Sequence, residues 1–262
     1  MKKWLFIATL ALCSFGASAR ELKVGVQCTY PPFNFRDASG TLKGFEIDIA
    51  RELGQRMKTD MNFVCMSFDG LIPALLSKKI DIIASSLSIT EARKKSIDFS
   101  IPYRASTARF LAKKGSGLQP FKADLTPNPT ALKGKAVGVQ RATTNDNYLA
   151  GEFPGVEIAR YDSAENLLLD LVAQRIDLAL VGPIKVEMDF LSKPEGKAYE
   201  FIGPELEAAK YFGDGVGVGL RKEDQALRGE INAALKGIFD DGSFKTINKR
   251  YWSFSVLPTA WK

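Results

Sequence analysis

Residues 80–95, IDIIASSLSITEARKK, decide the fold. Residues 80–84 are a short apolar run bounded by turn residues, the pattern of a parallel strand buried on both faces. Ser85, Ser86 and Ser88 make a polar turn behind it, and a short helix carrying Arg93 follows. In open α/β sheets, ligands bind where a strand C-terminus meets a helix N-terminus. Free backbone N–H groups there favour an anion, and a guanidinium adds a planar fork matched to two carboxylate oxygens. This turn is therefore expected to hold the carboxylate of a small solute. The competing reading makes Arg93 a surface charge and the serines ordinary turn residues, since most helix N-termini bind only water.

Toward the N-terminus, residues 22–27 alternate apolar and small side chains and read as a first strand. Pro31 and Pro32 then stop helix and sheet alike, making a stiff loop at a strand end. Tyr30 in this loop is expected to be a ligand platform, and Phe33 and Phe35 core. Phe45, Ile49, Leu53 and Met57 form one apolar helical stripe over residues 44–57. A strand is expected at 61–66, then a helix from Ser67 through Lys79 with Asp69 as its cap.

Toward the C-terminus, Pro102 lies in a linker and residues 107–112 read as an extended strand. A strand at 136–139 is followed by Gln140-Arg141-Ala142-Thr143-Thr144 and a helix from about Asn145. That repeats the strand–polar turn–helix arrangement and offers a second set of N–H groups. After a strand at 156–161, Asp162-Ser163-Ala164-Glu165 has capping-box spacing for a helix through Gln174. A strand at 176–181 breaks at Gly182-Pro183, with a helix to about Leu191 behind it. Residues 205–215 are a second crossing, 216–220 a strand, and 223–239 and 244–251 helices. Strands alternating with helices place the chain in the α/β class with parallel sheets. LLSKKIDIIASS at 75–86 and LVAQRIDLALVG at 171–182 echo one another, as two lobes of similar build would; helix-to-strand joints in general also look alike.

The 262 residues suffice for one or two domains, and the composition is ordinary for a globular protein. Lys2 and Lys3, an apolar run over residues 4–12, and Ala17-Ser18-Ala19 form a secretory signal peptide cleaved after Ala19. A lipoprotein reading would need Cys13, but Leu12 stands before it where a small residue is required. No later segment is expected to span a membrane. Without Lys2 and Lys3, 34 basic and 30 acidic residues leave a net charge of +4, with neither sign in a long run. No basic, aromatic face of the kind nucleic acid needs is visible.

Histidine is absent, which excludes a Ser-His-Asp site and a His-based zinc site. No metal or organic cofactor is expected. In the mature chain Cys28 and Cys65 remain; in an oxidising compartment they make either one disulfide or two separate buried thiols.

The chain resembles the periplasmic amino-acid-binding proteins of ABC importers (bacterial solute-binding protein family 3), especially those for lysine/arginine/ornithine, histidine and opines. The resemblance rests on Tyr30-x-Pro-Phe, Gly44-Phe45-Glu46-Ile47-Asp48, Phe68-Asp69-Gly70-Leu71-Ile72-Pro73, Ser85-Ser86-Leu87-Ser88-Ile89-Thr90-x-x-Arg93, and the run from Tyr211 to Lys222. It implies a two-lobed periplasmic binding protein fold of type II, with two doubly wound sheets joined by two hinge strands. Lobe one would be 20–106 plus 211–262 and lobe two 107–210, closing on ligand by hinge motion. It implies that Arg93 and the N–H groups of Ser88 and Thr144 hold the ligand carboxylate. Ser86 would meet the α-amino group, and Tyr30 and Phe68 would sandwich the side chain. Ser85, Gln140, Thr143 and Arg141 are counted with the pocket. The implied partners are a small carboxylate ligand and an inner-membrane ABC permease, and the implied state is a monomer.

Two positions depart from the family pattern. Members that bind ordinary α-amino acids place an aspartate on the ammonium group where this chain has Gly182, and binders of basic amino acids carry an acid where it has Gln27. A buried ammonium without a counter-charge costs several kcal/mol. An opine or another N-modified or amine-free acid is therefore expected over free lysine, arginine or histidine, with Gly182 leaving room for a substituent on the nitrogen. Glu187 or Asp189 is the alternative source of a counter-charge. The same fold hosts periplasmic cyclohexadienyl/arogenate dehydratases, but Gly182 removes a cleft acid that such an enzyme would need. With no kinase or membrane segment before Lys262, a signalling role would need a soluble partner.

Overall fold

Two five-stranded sheets carry the molecule, and the computed structural model describes residues 20–258 of it. The expected signal peptide and Cys13 lie outside the described residues. In chain order the strands are β1 (Arg20–Val26), β2 (Thr29–Tyr30), β3 (Asn34–Arg36), β4 (Leu42–Lys43), β5 (Thr59–Cys65), β6 (Ile82–Ile83), β7 (Asp98–Phe99), β8 (Ala108–Lys113), β9 (Ala136–Gln140), β10 (Glu157–Tyr161), β11 (Leu178–Val181), β12 (Tyr199–Leu206) and β13 (Gly219–Leu220). The helices are α1 (Phe45–Met57), α2 (Leu71–Leu76), α3 (Glu91–Lys94), α4 (Thr144–Glu152), α5 (Ala164–Val172), α6 (Pro183–Val186), α7 (Ala209–Phe212), α8 (Gln225–Asp240) and α9 (Ser243–Lys249).

The first sheet has the order β5-β1-β6-β13-β7 and the second β10-β9-β11-β8-β12. β1 runs parallel to β5 and β6, and β9 parallel to β10 and β11. The other two strands of each sheet are antiparallel to their neighbours. The expectation of parallel sheets therefore holds for three strands of each and fails for two. Those two stand where the chain passes between sheets instead of returning through a βαβ crossover. The chain leaves the first sheet after β7, builds the whole second sheet from β8 to β12, and returns at β13. The fold is α/β with two lobes joined by two crossings.

The echo between 75–86 and 171–182 has a physical basis. Lys78 and Gln174 both take left-handed backbone, φ 59° and 56°, to turn from helix into strand. Asp81 and Asp177 each accept a backbone N–H at 2.9 Å from the neighbouring parallel strand, Lys23 in one lobe and Ala136 in the other. Ile80 and Ile176 then press on Gly25 and Gly138: a Cβ at either glycine would stand 2.3 Å from the isoleucine Cδ1. The Ile-Asp pair is one joint used twice.

The apolar stripe of α1 packs against β1, α8 and α9 in the first lobe's core, with Phe45, Ile49 and Leu53 almost fully buried. Gly44 opens that helix at φ 128°, and a Cβ there would lie 2.2 Å from the Phe33 carbonyl oxygen. The chain changes its packing partners just after the expected boundary at 210/211. Tyr211 and Phe212 pack into the core of the second lobe with Tyr148, while Asp214 already hydrogen-bonds to Ile89 of the first. Two helix starts also differ. Asp69 does not cap a helix; residues 68–70 are a 3-10 turn, and the Asp69 carboxylate faces Arg141. The cap of α5 is Ser163, whose Oγ accepts the Asn166 N–H, because Asp162 is drawn to Arg141. Cys28 and Cys65 are joined in a disulfide at the ends of neighbouring strands.

Candidate functional site

Between the lobes lies a cavity of about 400 Å³, within the roughly 300–1,000 Å³ usual for small-ligand sites. The strand-end turns of both sheets open into it. Of the twelve residues expected at the site, ten line it: Gln27, Tyr30, Phe68, Ser86, Ser88, Arg93, Gln140, Thr143, Thr144 and Gly182.

The other two do not. Ser85 is almost fully buried beneath the turn, and its Oγ accepts the Gln27 N–H at 3.0 Å. The chain bends here, with Ser86 in left-handed backbone at φ 49°, and Ser86 takes the cavity side. Arg141 is exposed and turns outward to Asp162 at 2.5 Å, with Asp69 of the other lobe at 3.9 Å.

Arg93 reaches the cavity from α3, whose N-cap Thr90 accepts the Arg93 N–H. Its guanidinium donates to the Ser88 carbonyl at 2.9 Å and, across the cleft, to the Ala142 carbonyl at 3.1 Å. Its Cζ lies 5.6 Å from the centre of the Phe68 ring. It has no carboxylate partner among the described residues, and burial pushes its pKa down to about 10, leaving it charged at neutral pH. On the facing lobe, Thr143 caps α4 by accepting the Asp146 N–H and donates its own hydroxyl to the Gln140 carbonyl. Thr144 is the first residue of that helix, so its N–H has no partner within the helix.

Ser86 adopts φ 49°, and both its N–H and its Oγ donate to Glu46, each at 2.9 Å from Oε1. Glu46 was not singled out from the sequence. Its carboxylate also accepts from Asn34 (2.7 Å), Tyr103 (3.1 Å) and Arg104 (3.4 Å) and is fully buried. Because the Ser86 hydrogen is committed to Glu46, its oxygen can only accept from a further partner. The signal for Glu46 was an acidic residue at the start of an otherwise apolar helix stripe.

Gly182 does not leave room for a substituent. A Cβ there would stand 2.6 Å from the Tyr30 hydroxyl oxygen, so Tyr30 already fills the space an aspartate side chain would need. Burial pushes the Tyr30 hydroxyl up to about 12, so it stays protonated. Lys185, also missed from the sequence, is almost fully buried in the cavity wall. It pairs with Asp189, and its ammonium lies 6.0 Å from the centre of the Tyr30 ring. The acids that line the cavity, Glu187, Glu205 and Glu207, are all exposed.

Residues 22–254 match the model for bacterial extracellular solute-binding proteins, family 3. The chain belongs to this family. It is a solute-binding protein, not an enzyme, and nothing supports the dehydratase alternative. Family 3 relatives similar to it include the L-arginine-binding protein of Pseudomonas aeruginosa, 42% identical over 98% of each chain. The histidine-binding periplasmic protein of Salmonella typhimurium is 40% identical over 94% of this chain and 93% of its own. Among solved structures, a Salmonella typhimurium periplasmic binding protein described for high arginine specificity superposes with a TM-score of 0.80 at 29% identity. That match covers 90% of this chain and all of that one. The opine preference expected from Gly182 and Gln27 has no counterpart in these relatives.

Proposed function

We propose that this family 3 protein is exported by the leader at 1–19 and works in the periplasm as a monomeric receptor. It captures an amino-acid-derived carboxylate whose nitrogen is substituted or absent and presents it to an ABC permease. The observation that carries this is the charge balance of the cavity. Arg93 is a cation without a protein counter-charge, while Glu46 is saturated by five donor groups. Gln27 and Gly182 supply no charge, and Glu187, Glu205 and Glu207 stay on the solvated rim. One carboxylate is therefore welcome, at Arg93 and the N–H groups of Ser88 and Thr144. A primary ammonium would meet the neutral acceptor Ser86 and no buried anion, at a cost of several kcal/mol.

The second reading is capture of a free basic amino acid, favoured because the arginine- and histidine-binding relatives share 42% and 40% identity with this chain. It requires an acid of the rim, Glu187, Glu205 or Glu207, to swing in. A thermal-shift screen of refolded mature protein against amino acids, N-substituted amino acids and small carboxylates separates the two. A ligand at a hundredfold excess over Kd adds about 2.7 kcal/mol of stability. Shifts from N-substituted or amine-free acids alone support the first reading. A strong shift from free arginine, lysine or histidine overturns it and leaves the transport role intact.

A further inference from the structure

Each ring expected to flank the ligand side chain already faces a protein cation. The Arg93 Cζ lies 5.6 Å from the centre of Phe68, and the Lys185 ammonium 6.0 Å from the centre of Tyr30. The attraction of these rings for a cation is thus already taken up within the protein. Arg93 has a use, since the ligand carboxylate is expected there. Lys185 has none in the expected site. It lies three residues beyond Gly182 in α6, lines the cavity, and has its side chain 2% exposed. A Lys–Asp pair at i, i+4 forms equally well on a solvated helix face, so pairing with Asp189 does not explain why the ammonium is buried. Nor does Asp189 cancel its charge. The same carboxylate accepts Lys193 at 2.8 Å, so two ammonium groups share one anion. Glu165, the other acid that acts on Lys185, is exposed, as is Glu187. In a buried wall a surplus charge acts on its neighbours far more strongly than in water.

We infer that Lys185 is a specificity-determining residue that filters ligands by the charge of the side chain, admitting acids with an uncharged side chain and rejecting those with a cationic one. This rests on the function proposed above and narrows its ligand class at the far end of the molecule, not at the nitrogen. A carboxylate bound at Arg93 neutralises that cation but leaves Lys185 beside Tyr30 as it was. A guanidinium or ammonium stacked on Tyr30 then stands close to Lys185, with no buried acid free to offset the repulsion. A urea or amide of the same shape carries no charge to repel, and its carbonyl oxygen can accept a hydrogen bond from an ammonium.

The test is calorimetric titration of the mature full-length protein with two isosteric pairs. L-Citrulline and L-arginine differ in side-chain charge; δ-ureidovalerate and δ-guanidinovalerate differ in the same way and lack the amine. In each pair that binds, the ureido member binds the wild type roughly tenfold or more tighter than the guanidino member. K185M, in which Asp189 keeps Lys193 as its partner, binds both members of a pair about equally, with ureido affinity kept as its folding control. K185R retains the preference, and K185Q repeats the test should K185M not fold. Comparison within a pair reads Lys185, and comparison between pairs reads the amine. A wild type that binds the guanidino member as tightly as the ureido member, or a K185M that keeps the preference, overturns the filter; tighter binding of the amine-free pair then still leaves the proposed function standing. A filter seen in the amino-acid pair while the amine-free pair binds more weakly leaves Lys185 its role and overturns the proposed function. Binding of none of the four overturns the filter.

Discussion

Gly182→Ala tests whether Tyr30 and Gly182 seal the cleft. The two residues come from different lobes, and the added Cβ would stand 2.6 Å from the Tyr30 hydroxyl oxygen and 3.9 Å from Cζ. The first distance lies well below a 3.4 Å contact and the second is an ordinary one, so a single oxygen atom makes the collision. To relieve it, Tyr30 must tilt away from Phe33, on which it stacks at 5.6 Å, or the lobes must stop short of full closure. Overpacking of this size costs about 1–3 kcal/mol, which corresponds to roughly a 5- to 150-fold weaker Kd at 1.4 kcal/mol per decade. The assay is calorimetric titration of wild type, G182A, Y30F and the double variant with the strongest ligand from the thermal-shift screen. G182A loses affinity by that factor, and the double variant recovers most of it because phenylalanine leaves only the 3.9 Å contact. Wild-type affinity in G182A, or no recovery in the double variant, refutes the seal.

Glu46→Gln breaks a fully buried ion pair with Arg104 and is expected to cost about 3–5 kcal/mol in urea unfolding; an unchanged midpoint refutes the structural role of that carboxylate. Replacing Cys28 and Cys65 by alanine opens a cross-link between residues 37 apart in sequence and should cost about 4 kcal/mol on the chain-entropy estimate, read as a lower denaturation midpoint. Burial alone would raise the Asp98 carboxyl, but the Phe99 N–H, Gln225 and Arg228 outweigh it and hold the pKa below the usual 3.8. The folded value is thus the lower one, so Asp98 contributes stability above pH 3.8 that is lost as pH falls through the folded pKa. D98N should melt lower than wild type at pH 7 by about 1 kcal/mol of stability, with the gap narrowing on acidification; a gap that widens at low pH contradicts the sign.

Much of the fold was legible because it rests on local chemistry. Apolar runs ending in polar turns marked β6 and β9, and the repeated Ile-Asp joint pointed to two lobes. What local chemistry does not carry is which way a carboxylate turns. Asp69 and Asp162 both sit where a helix cap belongs, yet both face Arg141, and a three-residue ion cluster across the cleft prevails over two caps. Ring packing near residue 210 is likewise invisible in the sequence. Tyr211 and Phe212 lie in the quoted family run, but their rings pack on Tyr148 of the other lobe.

The site was less legible than the fold because its selectivity depends on a charge balance, and pairing determines that balance. From sequence, Gly182 and Gln27 are two missing acids, and Glu187 and Asp189 are candidate replacements; the structure adds Glu46 as a third acid beside the cavity. The structure sorts these by environment: Glu46 is consumed by its five donors, Asp189 is shared by two lysines, and Glu187 is solvated on the rim. None of the three is available to a buried ammonium as the chain stands. The same sorting reverses the meaning of Gly182, from space left for a ligand to space taken by Tyr30. The deficit of acid and the surplus of buried cation then point the same way. On the proposed reading a free basic amino acid satisfies this cleft only if an acid leaves the solvated rim formed by Glu187, Glu205 and Glu207, whereas an acid without a primary ammonium needs no such movement.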